Sequence, residues 1–521
     1  MTANITQKSI HNQGSEYQSI KPLLASFGID APDIAISDLV LDSREVAIHK
    51  GFVAVSGHAL DGRDFIPQAV SLGAKVILAE CDDAQSHGHL DMREQSLILS
   101  FYQLPESLSA LAAAFYHAPA EKLEVIAVTG TNGKTSTVQL TSQLASLLGQ
   151  KVASIGTLGA GLFDTDSRQQ VLDNTINTTP DAISMQRILA EFVSQKVTQV
   201  ALEASSHALV QHRIAALKTD VAVFTNLSRD HLDYHNTMSS YAQAKRQLLK
   251  QPGLRFAVLN ADDQESQNWQ LELPADVKSV FFSTALRADY FASEQQFCIA
   301  QNIEYVASGC RFTLLSSWGE CDIQLALMGQ FNVSNVLAAI CVQLCLGKSL
   351  QDIAKAASQL SPVAGRMEVF TATNKPSLVV DYAHTPDALK QALQALREHC
   401  QGKLWCVFGC GGDRDKGKRL LMGEIAEKFA DHTIITNDNS RTEDPAQIAQ
   451  QILAGCLRPE VIQVELDRRK AIKLAHEQAA SNDIILIAGK GHEDYQIIGS
   501  QTVSYDERAF VKQQQKQRNA P

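Results

Sequence analysis

Apolar residues follow two recurring patterns along the chain. Short runs rich in Val, Ile, Leu and Ala are followed by longer segments in which apolar positions recur every three or four residues. The clearest case is LEVIAVTGTNGKTSTVQLTSQLASLLG, residues 123–149, where an apolar run passes through a glycine-containing loop into an amphipathic segment. The first pattern predicts buried strands and the second predicts helices. Their alternation predicts an α/β fold class.

The alternation falls into three blocks, and a chain of 521 residues supports roughly three to four domains. Residues 1–120 contain the strand-like runs GFVAVSG and KVILAE and the helix-like segment SLSALAAAFYHAPA, which predict a small α/β N-terminal domain. Residues 121–361 continue from the glycine loop and predict a central P-loop mononucleotide-binding sheet. Residues 362–521 contain four strand-loop-helix units, which predict a C-terminal Rossmann-like, doubly wound sheet.

Composition and charge limit the kinds of molecule that the protein is expected to bind. A formal net charge of −11 argues against nucleic acid. The N-terminus has no apolar segment of signal-peptide length, and no run approaches the ~18 apolar residues of a membrane span, so we expect a cytoplasmic protein without such a span. The ten cysteines are scattered through apolar segments and lack zinc spacing, and we expect them to be reduced thiols.

The loop after the first apolar run predicts a phosphate site. It consists of Gly130, Thr131, Asn132, Gly133, Lys134 and Thr135. Backbone N–H groups at a helix N-terminus attract anions, Lys134 would reach the terminal phosphates, and Thr135 would bind Mg²⁺. The G-x-x-G-K-T spacing is two residues shorter than the usual phosphate-loop motif. The alternative is an ordinary strand-to-helix turn, which the Lys-Thr pair makes less favourable.

Polar side chains collect where later strands of the central block end. Glu203 ends one predicted strand and Asn226 ends the next, followed by a polar cluster at residues 229–235. The carboxyl ends of parallel strands meet at one edge of a sheet, so we expect these groups near the phosphate loop. Glu203 is the candidate ligand for Mg²⁺ or its water shell, although a strand-end Glu is more often solvated.

Two further regions leave alternatives open. Asn332 and Asn335 begin a helix-like segment, where they would cap the helix or, for Asn332, face a base or phosphate. In the last block the turns GGDRDKGKR and DNSR follow predicted strands. Each turn alone fits a solvated loop or a helix N-cap, whereas four charged turns along one sheet edge favour a binding site.

Eleven motifs occur in an order that resembles one family. They are GTNGKTS, NTT, EASSHALVQHR, FTNLSRDHLDYH, YAQAKRQLL, GQFNVSN, GRMEVF, DYAHTPDAL, FGCGGDRDKGKR, DNSR and AGKGHEDYQ. The chain resembles the Mur ligases over all three predicted domains. The resemblance implies ATP-driven amide formation, in which a substrate carboxylate forms an acyl phosphate that an amine then attacks. It also implies Mg²⁺ as cofactor, and ATP, a UDP-N-acetylmuramoyl dipeptide and meso-diaminopimelate as substrates.

The resemblance implies a catalytic and metal-binding set. Lys134 would contact the transferring phosphoryl group, and Thr135 would bind one Mg²⁺. Glu203 and His231 would bind a second Mg²⁺. Lys245, in YAQAKRQLL, matches a lysine that the family carries as a carbamate. An ordinary ammonium, with a pKa of about 10.4, would repel Mg²⁺, whereas a carbamate offers anionic oxygen ligands. Without the resemblance, Lys245 reads as a surface lysine on a helix.

The resemblance also implies three binding sets. Besides the loop, ATP would contact Ser136, Asn332, Arg366, Asp381 and His384. The UDP-linked substrate would contact Leu41, Ser43, His58, Ala59, Leu60, Asn177, Thr178, Thr179, Ser205, Gln211 and Arg213. meso-Diaminopimelate would contact Arg414, Asp438, Asn439, Ser440, Arg441, Gly489 and Glu493. Arg441, with Arg414 alongside, is the candidate partner of the carboxylate that distinguishes diaminopimelate from lysine.

Three departures from the family pattern are visible. EASSHAL stands where EVSSHGL is usual, Ser136 stands where Thr is common, and DNSR stands where DNPR is usual. The last departure lies in the amine set and bears on specificity. The alternatives are a ligase of the same fold that adds lysine or another amine, including the folylpolyglutamate synthase type, and a P-loop ATPase that couples hydrolysis to partner binding. We expect a monomer.

Overall fold

The computed structural model describes residues 17–57, 60–163, 169–175, 177–306 and 309–516. The chain divides into two compact units. The first consists of Met1–Leu259 and Asp263–Val280, and the second of Asn260–Asp262 and Phe281–Pro521.

The first unit begins with a small α/β layer, as the sequence predicts. Its elements are β1 (Gln18–Ser19), α1 (Ile20–Ala25), β2 (Ala35–Ile36), β3 (Asp38–Val40), β4 (Lys50–Ala54), α2 (Ile66–Ser71), β5 (Val76–Cys81), β6 (Leu90–Arg93), β7 (Ser96–Tyr102) and α3 (Leu104–Phe115). The sheet order is β3-β4-β5-β7-β6, and all pairs are parallel except β6 with β7. Leu104, Leu111 and Phe115 of α3 pack in one buried cluster with Leu78 and Leu99 of the sheet.

The rest of the first unit surrounds a second, mostly parallel sheet. Its elements are β8 (Glu124–Thr129), α4 (Lys134–Leu147), β9 (Val152–Gly156), β10 (Gly159–Phe163), β11 (Gln169–Asp173), α5 (Ala182–Ser194), β12 (Gln199–Glu203), α6 (Ser206–Val210), β13 (Val221–Phe224), α7 (Leu232–His235), α8 (Met238–Arg246), β14 (Phe256–Asn260) and α9 (Glu265–Leu271), before β15 (Lys278–Ser283) leads into the second unit. The order β11-β10-β9-β12-β8-β13-β14 is parallel from β9 to β14 and antiparallel at β10 and β11. Strands β12 and β13 are buried along their whole length, which explains their continuous apolar runs.

The second unit begins with three antiparallel strands and two helices. They are β16 (Gln296–Val306), β17 (Gly309–Ser316), β18 (Gly319–Leu325), α10 (Gln330–Cys345) and α11 (Leu350–Ala357). The N-cap of α10 is Gly329, which makes no side-chain cap. Asn332 and Asn335 lie inside α10, and Asn332 Nδ2 donates back to Met328 O (2.9 Å). The capping alternative for these two residues is therefore wrong.

The C-terminal part of the second unit is a doubly wound sheet, as predicted. Its elements are β19 (Glu368–Phe370), β20 (Ser377–Asp381), α12 (Pro386–His399), β21 (Leu404–Phe408), α13 (Gly417–Phe429), β22 (His432–Ile435), α14 (Pro445–Leu453), β23 (Gln463–Val464), α15 (Arg468–Gln478), β24 (Ile484–Ala488), β25 (Tyr495–Ile498), β26 (Gln501–Ser504) and α16 (Glu507–Lys516). The order is β19-β20-β24-β21-β22-β23, with only β19 antiparallel to its neighbour. The prediction of four strand-loop-helix units is wrong at the fourth, because the hairpin β25–β26 separates β24 from α16. Gly499, with φ of 61°, supplies the left-handed backbone that this hairpin turn needs.

The predicted domain limits stay a prediction. The limit at 120/121 falls within a 3₁₀ helix, Pro119–Lys122, and the limit at 361/362 falls between α11 and β19. Among the helices in the described part of the chain, none is long and apolar enough to cross a membrane.

Candidate active site

The phosphate loop joins β8 to α4 and depends on two glycines. Gly130 adopts φ 153°, and Gly133, at the N-cap of α4, adopts φ 83°. A Cβ on Gly130 would lie 1.9 Å from Thr225 Oγ1, so the loop approaches the end of β13 only because residue 130 has no side chain. Thr135 and Ser136 follow in the first turn of α4, and both are buried.

Residues at the end of β13 hold this loop in place. Asn226 Oδ1 accepts from Asn132 N–H (2.9 Å), Asn226 Nδ2 donates to Asn132 O (3.0 Å), and Asn226 O accepts from Thr131 N–H (2.9 Å). Thr225 Oγ1 also donates to Asn132 O (2.6 Å). The amides of Thr131 and Asn132, which we expected to face phosphate, therefore bond to the protein. The positive end of the α4 dipole, which begins at Lys134, is the part of the loop that attracts an anion.

Two lysines donate to the same backbone oxygen. Lys134 Nζ lies 2.8 Å and Lys245 Nζ 2.7 Å from Gly130 O. Lys245 is 1% exposed, and its Nζ lies 4.2 Å from the centroid of the Tyr241 ring. Burial, followed by the charge of Lys134, holds the pKa of Lys245 well below its usual value. The site therefore favours an uncharged amine on Lys245, which is not the surface lysine that its helix position alone suggests.

His231 lies beside these two lysines. Burial lowers the pKa of His231; Asp230 opposes this change, and the charges of Lys134 and Lys245 add to it. The His231 ring also packs edge-on against His207, with 5.0 Å between centroids. The structure therefore brings Lys134, His231 and Lys245 close enough to interact and disfavours the charged form of His231.

Glu203 ends β12 inside the protein rather than in solvent. It is 2% exposed, and its Oε1 and Oε2 accept from the N–H (2.8 Å) and the hydroxyl (3.3 Å) of Thr157. Gly156 permits this approach, since a Cβ there would lie 2.3 Å from Glu203 Oε1. The carboxylate is buried and fixed in direction, so the solvated alternative does not describe it.

The side chains expected to bind metal fit Mg²⁺ ions that take few of their ligands from the protein. Within the described ranges, no group of three or more His, Cys, Asp or Glu residues is arranged to hold a metal. Thr135, Glu203 and His231 offer hydroxyl, carboxylate and imidazole groups from separate elements. Such a set suits Mg²⁺, which keeps several waters and binds through one or two carboxylates and phosphate oxygens. Lys245 fits as an oxygen donor only after chemical modification.

Four residues expected to bind the UDP-linked substrate form one network. Thr179 Oγ1 donates to Ser205 Oγ (3.1 Å), and Arg213 Nη1 donates to Thr179 O (2.9 Å). Arg213 Nε donates to Gln211 Oε1 (2.9 Å). Gln211 Nε2 in turn donates to Tyr234 Oη (3.2 Å), a residue that the sequence places only in the polar cluster at 229–235. The network joins the end of β12 to the turn after α6.

The other residues of that set lie on separate loops. Ser43 is buried, and its hydroxyl donates to Gln68 Oε1 (2.9 Å). Leu41 is half-buried, whereas Leu60 is 70% exposed. Asn177 is exposed and Thr178 is half-buried, while His58 and Ala59 lie outside the described residues.

In the second unit, three of the residues expected to contact ATP surround Tyr382. The Arg366 guanidinium lies 4.4 Å from the centroid of the Tyr382 ring, and His384 Nδ1 lies 2.8 Å from Tyr382 O. Asp381 accepts from two backbone N–H groups, each at 2.8 Å. Burial raises the pKa of Asp381, and Arg366 opposes this. Tyr382 lies in the motif DYAHTPDAL, but nothing in the sequence singles it out.

The turns after β22 and β24 form one buried polar cluster. Asn439 Nδ2 donates to Glu493 Oε2 (3.0 Å). Lys490 Nζ donates to the same Glu493 oxygen (2.9 Å) and to Asn439 Oδ1 (2.5 Å). Burial alone would raise the pKa of Asp438, but Lys490 and Arg468 hold it below its usual value. The structure thus gathers Asp438, Asn439 and Glu493, and adds Lys490, which sequence reasoning missed.

Two arginines border this cluster. Arg441 is half-buried, adopts φ 49°, and donates from Nη1 to Gly412 O (2.8 Å). Arg414 is exposed. A Cβ on Gly411 would lie 3.1 Å from Arg441 Nη1 and 3.8 Å from Arg414 Cγ, so both arginine side chains lie close to this one glycine. This placement puts two cations at the same turn.

The DNSR turn is a loop and not a helix cap. The N-cap of α14 is Asp444, whose side chain accepts from Ala446 N–H. Ser440 is 1% exposed, and its Oγ is buried without a hydrogen-bond partner among the described residues. Gly489 packs closely against the turn, since a Cβ there would lie 2.5 Å from Asp438 Oδ2. The N-cap alternative for DNSR is therefore wrong.

A buried ion pair joins the GGDRDKGKR and DNSR turns. Arg419, whose side chain is 0% exposed, donates to both carboxylate oxygens of Glu443 at 2.9 and 3.0 Å. Glu443 Oε1 also accepts from Asp413 N–H (2.6 Å). The hydrogen bonds from Arg419 lower the pKa of Glu443 to about 2. The two turns that carry the candidate arginines are tied together by this pair.

Comparisons with known proteins match most of the chain. Three family models match: "Mur ligase family, catalytic domain" at residues 35–116, "Mur ligase middle domain" at 128–343, and "Mur ligase, glutamate ligase domain" at 365–491. Two relatives from Haemophilus influenzae, strains PittGG and Rd, are each 44% identical over 494 residues, which is 94% of this chain and 99% of the relative. Both are named UDP-N-acetylmuramoyl-L-alanyl-D-glutamate--2,6-diaminopimelate ligase.

Solved structures agree with these matches. A structure of UDP-N-acetylmuramoyl-L-alanyl-D-glutamate--2,6-diaminopimelate ligase is 34% identical, with a TM-score of 0.67, covering 96% of this chain and 99% of the other. MurF from Acinetobacter baumannii shares the fold at 19% identity and a TM-score of 0.64, covering 91% and 96%. The three family models fall in chain order on the N-terminal layer, the central sheet and the C-terminal sheet. The chain belongs to the Mur ligase family.

Proposed function

We propose that this protein is an ATP-dependent ligase that joins meso-diaminopimelate to the D-glutamyl γ-carboxylate of UDP-N-acetylmuramoyl-L-alanyl-D-glutamate, a step in peptidoglycan precursor synthesis. The observation that carries this proposal is the 44% identity, over 94% of the chain, to relatives named for that reaction. A UDP-linked substrate and ATP are cytoplasmic metabolites, so the reaction belongs in the cytoplasm.

The reaction has two chemical steps. The substrate carboxylate attacks the γ-phosphorus of ATP, which gives an acyl phosphate and ADP. The amine then attacks the acyl carbon, and phosphate leaves from a tetrahedral intermediate. Phosphoryl transfer needs mainly positioning and charge stabilisation, which the Lys134 ammonium and the N-terminus of α4 supply. The Asn226 contacts keep the loop rigid during this transfer.

Thr135 would hold one Mg²⁺, and Glu203 and His231 would hold a second; when bound, these ions supply charge neutralisation for the phosphoryl group. The lowered pKa of Lys245 provides the uncharged amine that reacts with CO₂. In that reaction the amine nitrogen forms a bond to carbon and releases one proton, and the product is an anionic carbamate. This modification gives Lys245 an anionic oxygen donor for a cation in place of its amine.

Purified protein should release phosphate from ATP only when both the UDP-linked dipeptide and an amine are present. Among an amino-acid panel, meso-diaminopimelate should give the highest kcat/KM, and the product mass should equal that of the dipeptide plus one amine minus water. Rapid ATP hydrolysis without either co-substrate would support a P-loop ATPase instead. A parent enzyme that prefers lysine would contradict the proposed amine.

Lys245→Ala should lower kcat by at least on the order of 10²-fold, the size of losing one group that stabilises transition-state charge. High bicarbonate or a short-chain carboxylate should partly restore turnover, because the missing group is an anionic ligand. Lys245→Arg is the matched variant, since it fills the space but carries a permanent positive charge and cannot become a carbamate, and it should be inactive and unrescued. A Lys245→Arg protein with parental activity would contradict the carbamate role.

Arg441→Ala should lower kcat/KM for diaminopimelate by on the order of 10²-fold, because breaking one side of a desolvated ion pair costs roughly 2–5 kcal/mol. Lysine, which lacks the distal carboxylate, should lose much less, and KM for ATP should stay near the parental value. The matched control is Arg458→Ala, which removes a 67% exposed arginine paired with Glu427. An unchanged ratio of kcat/KM between the two amines would rule out the assignment.

Ser440→Ala should be neutral or slightly stabilising, because the Ser440 hydroxyl is buried without a partner among the described residues. Ser440→Pro should also be tolerated and add ~0.4–1 kcal/mol of stability by restricting the unfolded chain. The measurements are Tm and KM for the amine. A tenfold rise in the amine KM of Ser440→Ala would show that the hydroxyl itself contacts substrate.

A further inference from the structure

A fully buried lysine lies among the residues proposed to bind the amine. The Lys490 side chain is 0% exposed, and its Nζ donates to Asn439 Oδ1 (2.5 Å) and Glu493 Oε2 (2.9 Å). The same nitrogen lies 3.9 Å from Asp438 Oδ1. A lysine is rarely buried unless its charge is paired, so the groups around Lys490 must accept its hydrogen bonds and balance its charge.

Lys490 is one of two donors that fix which way the Asn439 amide points. Asn439 Oδ1 accepts from Lys490 and also from Ile497 N–H (2.9 Å), while Nδ2 donates to Glu493 (3.0 Å). An ammonium only donates, so the amide oxygen must face Lys490 and the NH₂ group must face Glu493. Without the ammonium, Asn439 loses one of the two donors that fix this orientation.

Lys490 also sets the charge of the cluster. The described carboxylates here are the buried Asp438 and Glu507 and the half-buried Glu493, and the buried cations are Lys490 and Arg468. Arg468 forms a bidentate ion pair with Glu507, with hydrogen bonds of 2.5 and 3.0 Å. Lys490 is therefore the main cation for the other two carboxylates, and the cluster keeps one negative charge. One negative charge matches one substrate ammonium, whereas two unpaired carboxylates in this cluster would be costly.

We propose that Lys490 is a positioning residue of the amine site, which orients Asn439 and Glu493 and leaves the site with the charge that accepts a single ammonium. This inference rests on the proposed function, because it takes Asp438, Asn439 and Glu493 as the amine contacts. Lys490 acts through these side chains and does not itself touch the reacting atoms.

Lys490→Met tests this role, since it keeps the apolar stem and removes the charge. The amine KM should rise on the order of 10–100-fold, the usual effect of losing a group that orients a ligand contact. KM for ATP and for the UDP-linked dipeptide should change less than about twofold, and kcat should fall less than the amine KM rises. Lys490→Arg, which keeps a cation, should raise the amine KM less than Lys490→Met does.

Lys375→Met is the matched control. Lys375 belongs to the same unit and donates to the backbone oxygens of Gln514 (2.9 Å) and Gln515 (3.4 Å), far along the chain from the amine turns. Lys375→Met makes the same lysine-to-methionine change as Lys490→Met, and it should lower Tm without altering the amine KM. An amine KM for Lys490→Met no higher than that of Lys375→Met, or a parallel rise in KM for ATP, would overturn the proposal.

If Lys490→Met fails to fold, Lys490→Gln decides the question, because glutamine keeps a hydrogen-bond donor and removes only the charge. Its amine KM should rise at least tenfold, and a parental value would overturn the proposal. The parent enzyme separately tests the proposed function. If the parent prefers another amine, that amine replaces diaminopimelate in all variants, and the same KM comparison still tests Lys490.

Discussion

The Gly130 carbonyl oxygen, which accepts from both Lys134 and Lys245, is the contact on which the catalytic part of the structure depends. The two nitrogens lie 2.8 and 2.7 Å from this oxygen, so they are at most 5.5 Å apart. Two positive charges at that distance repel by about 3 kcal/mol at an effective dielectric constant of about 20. Lys245 is the more deeply buried of the two, so burial and the charge of Lys134 hold the pKa of Lys245 well below its usual value. The loop oxygen thus brings a cation for phosphate close to a lysine whose charged form is disfavoured.

Other parts of the chain maintain this arrangement. Gly130 lacks a side chain where β13 approaches, and Asn226 bonds to both the N–H and the C=O of Asn132, so the loop that carries the shared oxygen is held in a fixed place. The C-terminal sheet also has buried basic side chains beside it, but their charges are stabilised in a different way. There, Lys490 and Arg468 stay paired with carboxylates, and the charge that remains is negative. The two buried lysines therefore differ: burial and a neighbouring cation lower the pKa of Lys245, whereas carboxylates pair with Lys490.

Sequence patterns predicted the features that depend on neighbouring residues. The alternation of strands and helices, the glycine loop and the polar strand ends all follow from local composition, and the structure contains them. The missed features depend on distant contacts. Lys490 meets Asn439 across 51 positions, and Tyr382 becomes notable only because Arg366 stacks on it. The sequence did not predict the hairpin after β24, because the two short strands of the hairpin resemble the beginning of another strand-loop-helix unit. Side-chain partners of this kind require the tertiary fold.

The neutral state of Lys245 and its modification are tested most directly by ¹³C NMR of the protein equilibrated with ¹³C-bicarbonate. We predict a protein-bound carbamate resonance in the parent and in a control variant at the exposed Lys250, Lys250→Ala. The resonance should be absent from Lys245→Ala. A parent spectrum identical to that of Lys245→Ala would contradict the conclusion that burial and the nearby charge of Lys134 prepare Lys245 for carbamylation.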